Sequence, residues 1–296
     1  MKKKKYTLFD VINTALVILI TIIILYPLYF CVIASVSEPS QVALGNTLLW
    51  VKEFTLESYR YVFQEDSLWR GYRNTIIYTF FGTLYNLILT IPAAYVLTKK
   101  YLPFRGTISW FFFMTMYFGG GMIPTYLLMK NLGLVNNPLA MIVGAGVSCY
   151  NLIVTRQYFS NNIPDEIYEA ARIDGASEFR CFAQIAFPLS KAIIAVMALY
   201  YGVGHWNSFY NALIYLLKPK YFPLQLVLRE LLFKDFTVEI ENAESFEVAE
   251  RLIKQQQAVL GVRYGIMLFS SLPLLIAYPF IQKYFVKGVT IGGVKG

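Results

Sequence analysis

Long apolar runs separated by short polar segments make up most of the chain. Six of these runs are candidates for membrane-spanning helices, because crossing a bilayer takes about 17–25 predominantly apolar residues. They lie at residues 11–36, 74–98, 107–129, 139–155, 192–217 and 262–281. The pattern predicts an all-α membrane protein, with six transmembrane helices in a single domain of residues 1–296.

The first run follows a basic start, Lys2–Lys5. Such a start is also typical of a secretory signal peptide, whose apolar core is about 7–15 residues long. The run at 11–36 is much longer than that. We therefore interpret it as a first span that is not cleaved.

Positive charge predicts which connectors lie in the cytoplasm. The connector 99–105 carries Lys99, Lys100 and Arg105 and no acidic residue. Cytoplasmic loops carry an excess of Lys and Arg, so this connector is expected inside. Counting spans from it places the segment 163–190 inside, together with the N-terminus and the C-terminal tail 283–296.

The composition excludes several other classes of protein. Of the 296 residues, 57% are hydrophobic and 15% are charged, which is too apolar for an ordinary soluble domain. The net charge of +8 could suit nucleic acid, but the basic residues lie in short connectors, so no nucleic-acid partner is expected. Cys31, Cys149 and Cys181 are far apart and predict neither a disulfide framework nor a metal site.

The third run contains residues that weaken or break helices, Gly119–Gly121 and Pro124. Within a membrane, such breaks persist only where protein or water covers the freed backbone groups. They predict either a packed interface with a neighbouring helix or the wall of a cavity.

A charged island at residues 163–190 separates the fourth and fifth runs. Pro164 and the two acids after it suit the first turn of a helix, and Gly175 suits the left-handed position that ends one. A second short helix is predicted from Phe179, with Pro188 ending it or kinking it into the next segment. Taken alone, the island could be an ordinary amphipathic connector.

The first of these short helices has two distinct faces. Glu169 and Arg172 are three positions apart on one face and are expected to form a weak pair. The apolar face is predicted to comprise Ile163, Ile167, Ala170 and Ala171.

The sequence from Glu169 to Gly175, Glu-Ala-Ala-Arg-Ile-Asp-Gly, with Pro188 downstream, resembles the EAA loop of permease subunits in ATP-driven, binding-protein-dependent importers. The resemblance extends over most of the chain, to the second, six-span permease of maltose-type systems and its complex-oligosaccharide subgroup. Further segments that carry it are 54–59, 122–126, 132–134, 204–207 and 284–296.

This resemblance implies a type I ABC importer permease fold in a prokaryotic cell membrane, surrounded by lipid. The implied partners are a second permease in a heterodimer, two ATPase subunits that bind ATP and Mg, and an extracellular sugar-binding protein. Glu169 is expected to make a polar contact with the ATPase, with close packing at the two alanines after it. The implied ATPase-contacting residues are Glu169, Ala170, Ala171, Arg172, Asp174, Gly175 and Pro188, with Gly292, Gly293 and Lys295 of the tail.

The chain lacks the residues of a self-powered carrier or an enzyme. Away from their ends, the six spans contain no Asp, Glu, Lys or Arg and one His, which disfavours a proton-coupled carrier. The segment 288–293 has the glycine spacing of a phosphate-binding loop, but Val294 stands where that loop requires Lys. We therefore expect no catalytic residue, metal or cofactor in this chain.

The most polar stretch within a predicted span is His205–Asn211. Its amides and flat rings suit a neutral polyhydroxylated ligand, such as a sugar. The candidate pathway residues are His205, Trp206, Asn207, Tyr210 and Asn211. Alternatively, these residues hold helices or two permease chains together, and His205 by itself is expected to be a hydrogen-bonded packing residue.

Two alternatives to sugar import remain at this point. The first is an importer permease for another neutral solute, since a charged cargo, such as an amino acid or a polyamine, would need a complementary charge inside the spans. A passive channel or a membrane enzyme would not depend on ATP, so uptake that persists when ATP hydrolysis is blocked would favour the channel. A bulky charge at Ala171 is expected to uncouple an importer and to leave membrane insertion intact.

Overall fold

A computed structural model describes residues 7–233, 245–248, 250, 252, 262–273, 275, 276 and 279. Over these residues the regular structure is helical, and the strand pairing is confined to one antiparallel bridge between Ser37 and Phe54. The described residues divide into two compact units. One lies within Met1–Leu68 and Leu228–Leu272, and the other within Trp69–Val227 and Pro273–Gly296.

The first three helices are α1 (Leu8–Ser35), α2 (Pro39–Ala43) and α3 (Glu57–Gln64). The start of α1 is set by a capping box, in which Thr7 and Asp10 each accept a hydrogen bond from the other's backbone N–H. These bonds satisfy donors that the first turn of a helix leaves free.

Eleven further named helices follow up to Leu232. They are α4 (Asp66–Val96), α5 (Arg105–Met114), α6 (Met122–Asn131), α7 (Ala140–Val143), α8 (Cys149–Asn162), α9 (Asp165–Ile173), α10 (Glu178–Cys181), α11 (Phe187–Leu189), α12 (Lys191–Trp206), α13 (Tyr210–Tyr215) and α14 (Leu224–Leu232). A π-helical turn at Phe182–Ala186 joins α10 to α11.

Several predicted spans are not single helices. Only α1 and α4 are individually long and apolar enough to cross a membrane, among the residues described. Helical segments Glu178–Leu189 and Lys191–Trp206 would together make a third span, but they meet at an angle of 79°.

The expectation of one uninterrupted helix is wrong for the fourth and fifth runs, whereas a break was predicted in the third. All three runs are interrupted. Residues 115–121, 144–148 and 207–209 interrupt them. In the third run the interruption includes Gly119–Gly121, from which a break was predicted. The sixth run is helical at its described residues, and the rest of it lies outside them.

A row of polar side chains on α4 satisfies the backbone between α13 and α14. Asn74 Nδ2 donates to the carbonyl oxygens of Lys220 and Phe222, at 2.9 and 3.0 Å. Thr75 Oγ1 accepts from the Leu224 N–H at 2.8 Å. Both side chains are buried. Since buried backbone groups need hydrogen-bond partners, α4 supplies partners that this connection lacks.

Farther along α4, Asn86 does the same for the break between α7 and α8. Its Nδ2 donates to the carbonyl oxygens of Ala145 and Gly146, and its Oδ1 lies 2.7 Å from His205 Nε2. Asn86 is 1% exposed. One amide therefore joins α4, α12 and the break.

A second hydrogen-bonded link between α4 and α12 lies one turn of α4 beyond Asn86. The hydroxyl of Tyr201 on α12 is 2.7 Å from Thr90 Oγ1 on α4 and accepts from the Ser148 N–H at 3.1 Å. Together, the two links fasten α12 to α4 across the interrupted fourth run.

Gly82 makes room for this arrangement. A Cβ at position 82 would overlap the His205 imidazole. The ring can approach Asn86 because α4 presents bare backbone at Gly82, one turn earlier.

We therefore predict that Gly82→Ala destabilises the protein, although alanine in a helix is ordinarily favoured over glycine by about 1 kcal/mol. Forcing a methyl group into a packed site costs about 1–3 kcal/mol. Thermal unfolding of the purified protein in detergent should show a lower Tm.

The matched control is Gly106→Ala in α5, where a Cβ would meet nothing within 4 Å. Its Tm should stay level or rise. In a His205→Ala background, Gly82→Ala should lose most of its effect, because the clashing ring is gone. An equal drop in both backgrounds would contradict the proposed clash.

Candidate functional site

Residues 163–190, which we call the coupling loop, form a helical protrusion between α8 and α12. Its first helix, α9, ends at Ile173 with Asp174 as the C-cap, and Gly175 follows with a φ of +78°. This is the left-handed conformation that glycine adopts without strain. The predicted stop at Gly175 is confirmed, and the chain turns there into α10.

The inner face of the coupling loop packs on the protein's own core. Ile163 and Tyr168 are buried, at 3% and 4% exposure, and Ala171 packs against the same cluster. The predicted apolar face is therefore partly wrong, because Ile167 and Ala170 are exposed. The large Tyr168 ring sets the orientation of α9 and turns Ala170 outward.

This orientation changes the test expected at Ala171. A bulky charge there would first disturb the packing of the loop on its own chain. A loss of coupling in that variant would therefore not show that Ala171 contacts an ATPase. Substitution of a residue that points outward tests such a contact directly.

The expected pair of Glu169 with Arg172 is also wrong. Arg172 instead binds Glu178, with Nη2 and Nε each 2.9 Å from Oε1, and its guanidinium lies 5.1 Å from the Tyr101 ring centroid. The turn at Gly175 brings α10 back beside α9, which places Glu178 within reach. Glu169 is exposed and forms no ion pair with any described residue.

Lys99 fastens the coupling loop to the connector between α4 and α5. Its Nζ lies 3.4 Å from the ring centroid of Tyr168 and 4.2 Å from that of Tyr95. Lys99 is only 7% exposed, and burial lowers its pKa. Burial also raises the pKa of Tyr168 to about 12, so this ring remains a neutral cation–π partner. We call Lys99, Tyr95 and Tyr168 the lysine clasp.

A neighbouring surface pair adds a weaker link. Lys100 Nζ lies 3.0 Å from Asp165 Oδ2, and the hydrogen bond from Lys100 lowers the pKa of that carboxyl group. Both side chains are mostly exposed, so the pair contributes little to stability. The sequence predicted only that these lysines lie on the cytoplasmic side. It did not predict their contacts, because no local spacing links position 99 to position 168.

The outer face of the coupling loop carries exposed apolar side chains among charged ones, which include Glu169. Ile173 is 87% exposed and Phe179 is 78% exposed, and Ala170 lies on the same side of the turn as Ile173. Exposed apolar residues grouped in this way are typical of a protein contact.

Pro188 does not end the helical path, since α11 continues through Leu189. The 79° change of direction falls between Leu189 and Lys191. The coupling loop therefore meets α12 at a sharp corner, and Ser190 at that corner is fully buried.

The second candidate region, His205–Asn211, divides into two parts. His205 is bound to Asn86, and Trp206 is 6% exposed with its ring edge-on to Tyr72, at 6.2 Å between centroids. Both are packing residues in this structure, as was expected of His205.

The other part of the region is exposed. Asn207, Tyr210 and Asn211 are accessible at the break between α12 and α13. The Tyr210 hydroxyl donates to Met122 Sδ at 3.3 Å. Met122 begins α6 directly after Gly119–Gly121, so Tyr210 lies beside the break in the third run.

The remaining candidate residues, Gly292, Gly293 and Lys295, lie outside the described residues, and their role stays a prediction. Two of the three glycines of the third run have open space beside them among the described residues. A Cβ at Gly119 or Gly121 would meet nothing within 4 Å.

Comparisons with known proteins show the family of this chain. Residues 67–291 match the family described as binding-protein-dependent transport system inner membrane component. The chain is 36% identical to Protein LplC of Bacillus subtilis, over 97% of this chain and 95% of that protein. It is 31% identical to the polygalacturonan/rhamnogalacturonan transport system permease protein YtcP of the same organism, over 99% of this chain and all of YtcP.

A solved structure is similar over nearly the whole chain. It is the crystal structure of a bacterial ABC transporter involved in the import of the acidic polysaccharide alginate, with a TM-score of 0.85 and 30% identity. The match covers 96% of this chain and 100% of that chain. This chain therefore belongs to the family of inner membrane components of binding-protein-dependent transport systems, as an ABC transporter permease subunit that relies on separate ATPase subunits for ATP hydrolysis.

Proposed function

We propose that this permease subunit imports oligosaccharides by alternating access, driven by ATPase subunits that contact the outer face of the coupling loop. The observation that carries the coupling mechanism is the division of that loop into two faces. Its inner face is packed and clasped to its own chain, and its outer face presents Ile173, Phe179 and Ala170 beside Glu169.

The choice of carbohydrate as cargo is supported by the relatives. YtcP is named for polygalacturonan and rhamnogalacturonan, and the similar structure is that of an alginate importer. An arabinooligosaccharides permease, AraQ of Halalkalibacterium halodurans, is 29% identical over the full length of both chains.

These relatives remove the reason to restrict the cargo to a neutral sugar. Alginate is named as acidic in the similar transporter. This chain also carries Arg263 at the edge of its sixth predicted span, with Nε buried and without a hydrogen-bond partner among the described residues. We therefore propose an oligosaccharide without requiring that it be uncharged.

The proposed topology has six spans and cytoplasmic termini, with the third, fourth and fifth spans made of broken helices. It is supported by the lysine clasp and by the pair of Lys100 with Asp165, which place the basic connector against the coupling loop. The connector and the coupling loop, both predicted to be cytoplasmic, are thus on the same side of the structure.

The proposed assembly includes a second permease, two ATPases and an extracellular sugar-binding protein. Within it, Asn207, Tyr210 and Asn211 would face the sugar path near the break at Gly119–Gly121. Their exposure and their amide and hydroxyl groups support this role. The alternative role is contact with the second permease, which the same exposed groups would also suit.

To test the outer face, we predict that Ile173→Asp weakens binding of the ATPase subunits by about tenfold or more. A carboxylate buried without a partner costs more than the 1.4 kcal/mol that corresponds to a factor of ten. Co-purification of the ATPase subunits from detergent extracts would measure this loss.

The matched control is Leu132→Asp, which places the same charge on an exposed leucine just after the third predicted span, on the side opposite to the connector 99–105 in the proposed topology. It should leave ATPase recovery unchanged. Equal recovery of the ATPase with both variants would show that this face does not bind it.

To test the lysine clasp, we predict that Lys99→Met lowers the amount of sugar imported per ATP hydrolysed, while the subunits still assemble. A cation–π contact contributes about 0.5–2 kcal/mol, which would no longer hold α9 against the connector. Lys99→Arg keeps the charge above the rings and should retain most of the coupling. The ratio of uptake to hydrolysis in reconstituted vesicles would distinguish the two variants, and an unchanged ratio in Lys99→Met would argue against the clasp.

A further inference from the structure

The segment after α1, residues 36–55, is a loop whose two ends are hydrogen-bonded to each other. The Glu38 N–H donates to the carbonyl oxygens of Lys52 and Glu53, at 3.1 and 3.0 Å, and the Thr55 N–H donates to Val36 O at 3.0 Å. These bonds hold the two ends of the loop together. Its shape is therefore set by backbone contacts.

The tip of this loop lies back along α1. Tyr29 Oη donates to the Leu49 carbonyl oxygen at 2.5 Å, and Tyr26 Oη donates to the Leu48 carbonyl oxygen at 3.1 Å. Tyr26 precedes the last residue of α1, Ser35, by nine positions, or about 13 Å at 1.5 Å per residue. The tip therefore extends alongside the final turns of the helix.

The tip is uncharged and its apolar side chains point away from the protein. Residues 44–51 contain no charged residue. Leu44, Leu48, Leu49 and Trp50 are between 57% and 76% exposed. An exposed apolar group of this size is uncommon on a surface that faces water.

The position of the tip along α1 matches a membrane boundary. Asp10 caps the helix near the N-terminal lysines, and the hydrocarbon core of a bilayer takes about 20 residues of helix. Counting from Val11, the far edge of the core falls near Phe30. Tyr26, Tyr29 and the tip beside them are then at the level where Trp and Tyr are enriched in membrane proteins.

We propose that residues 44–51 form a lipid anchor, in which Trp50 and its neighbouring leucines enter the boundary between headgroups and acyl chains at that end of α1. The apolar tip is continuous with the surface of α1, which is long and apolar enough to cross a membrane and whose side chains are exposed along nearly the whole helix. Lipid is favoured over a protein partner because the tip offers apolar side chains with no charged group among them. This proposal does not depend on the coupling mechanism.

The test uses the intact importer, reconstituted in phosphatidylcholine vesicles. Subtracting the fluorescence of Trp50→Phe from that of the unmodified protein isolates the emission of Trp50. Vesicles with lipids brominated close to the headgroup should reduce this emission by about twofold, since the ring is expected at that depth. Bromines near the end of the acyl chain should reduce it less, and iodide in the water should have little effect.

The emission of Trp206, isolated in the same way with Trp206→Phe, is the control, because this ring is buried within the protein. A second reporter, Leu49→Trp in the Trp50→Phe background, should respond to the brominated lipids as Trp50 does. Quenching by iodide and not by bromine would overturn the proposal. A response to neither, with a spectral shift when the binding protein is added, would overturn it in favour of a protein contact.

Discussion

Backbone groups that are freed inside a membrane must find partners within the protein, and this requirement shapes the structure around α4. Three of the apolar runs are interrupted. Polar side chains of α4 contact one of these interruptions and also the connection between α13 and α14. Asn86 satisfies carbonyl groups at the break between α7 and α8, while Asn74 and Thr75 serve the connection before α14. A helix that is apolar in composition therefore carries a polar stripe where its neighbours lose their own hydrogen bonds.

The coupling loop depends on the same helix in a different way. Tyr95 near the end of α4 and Lys99 just beyond it hold Tyr168 of α9, and the core beneath contains residues of α8 and α12. A force on the outer face of the loop would thus reach α4 through the lysine clasp as well as α12 through the chain. This arrangement joins the candidate ATPase contact to the helix that stabilises the breaks.

Local patterns predicted much of the coupling loop, and long-range packing explains where they failed. Gly175 was predictable because a left-handed stop depends on one residue and its neighbours. The partner of Arg172 was not predictable from helical spacing, since the turn brings in Glu178 from the next helix. Helical periodicity also favoured Ala170 and Ala171 on one face. With the Tyr168 ring buried, Ala171 packs on the core and Ala170 is exposed.

By itself, the sequence determined the membrane class, the helical composition and the turn at Gly175, because apolar run length, charge placement and turn residues are local properties. Only the tertiary structure decided which residues of His205–Asn211 are buried, which face of α9 is free, and where the broken runs obtain their hydrogen bonds. Those outcomes depend on contacts between residues that are 50 to 150 positions apart, such as Asn74 with Phe222 and Asn86 with Gly146. No periodicity along the chain encodes such contacts, since they form only when separate helices pack together.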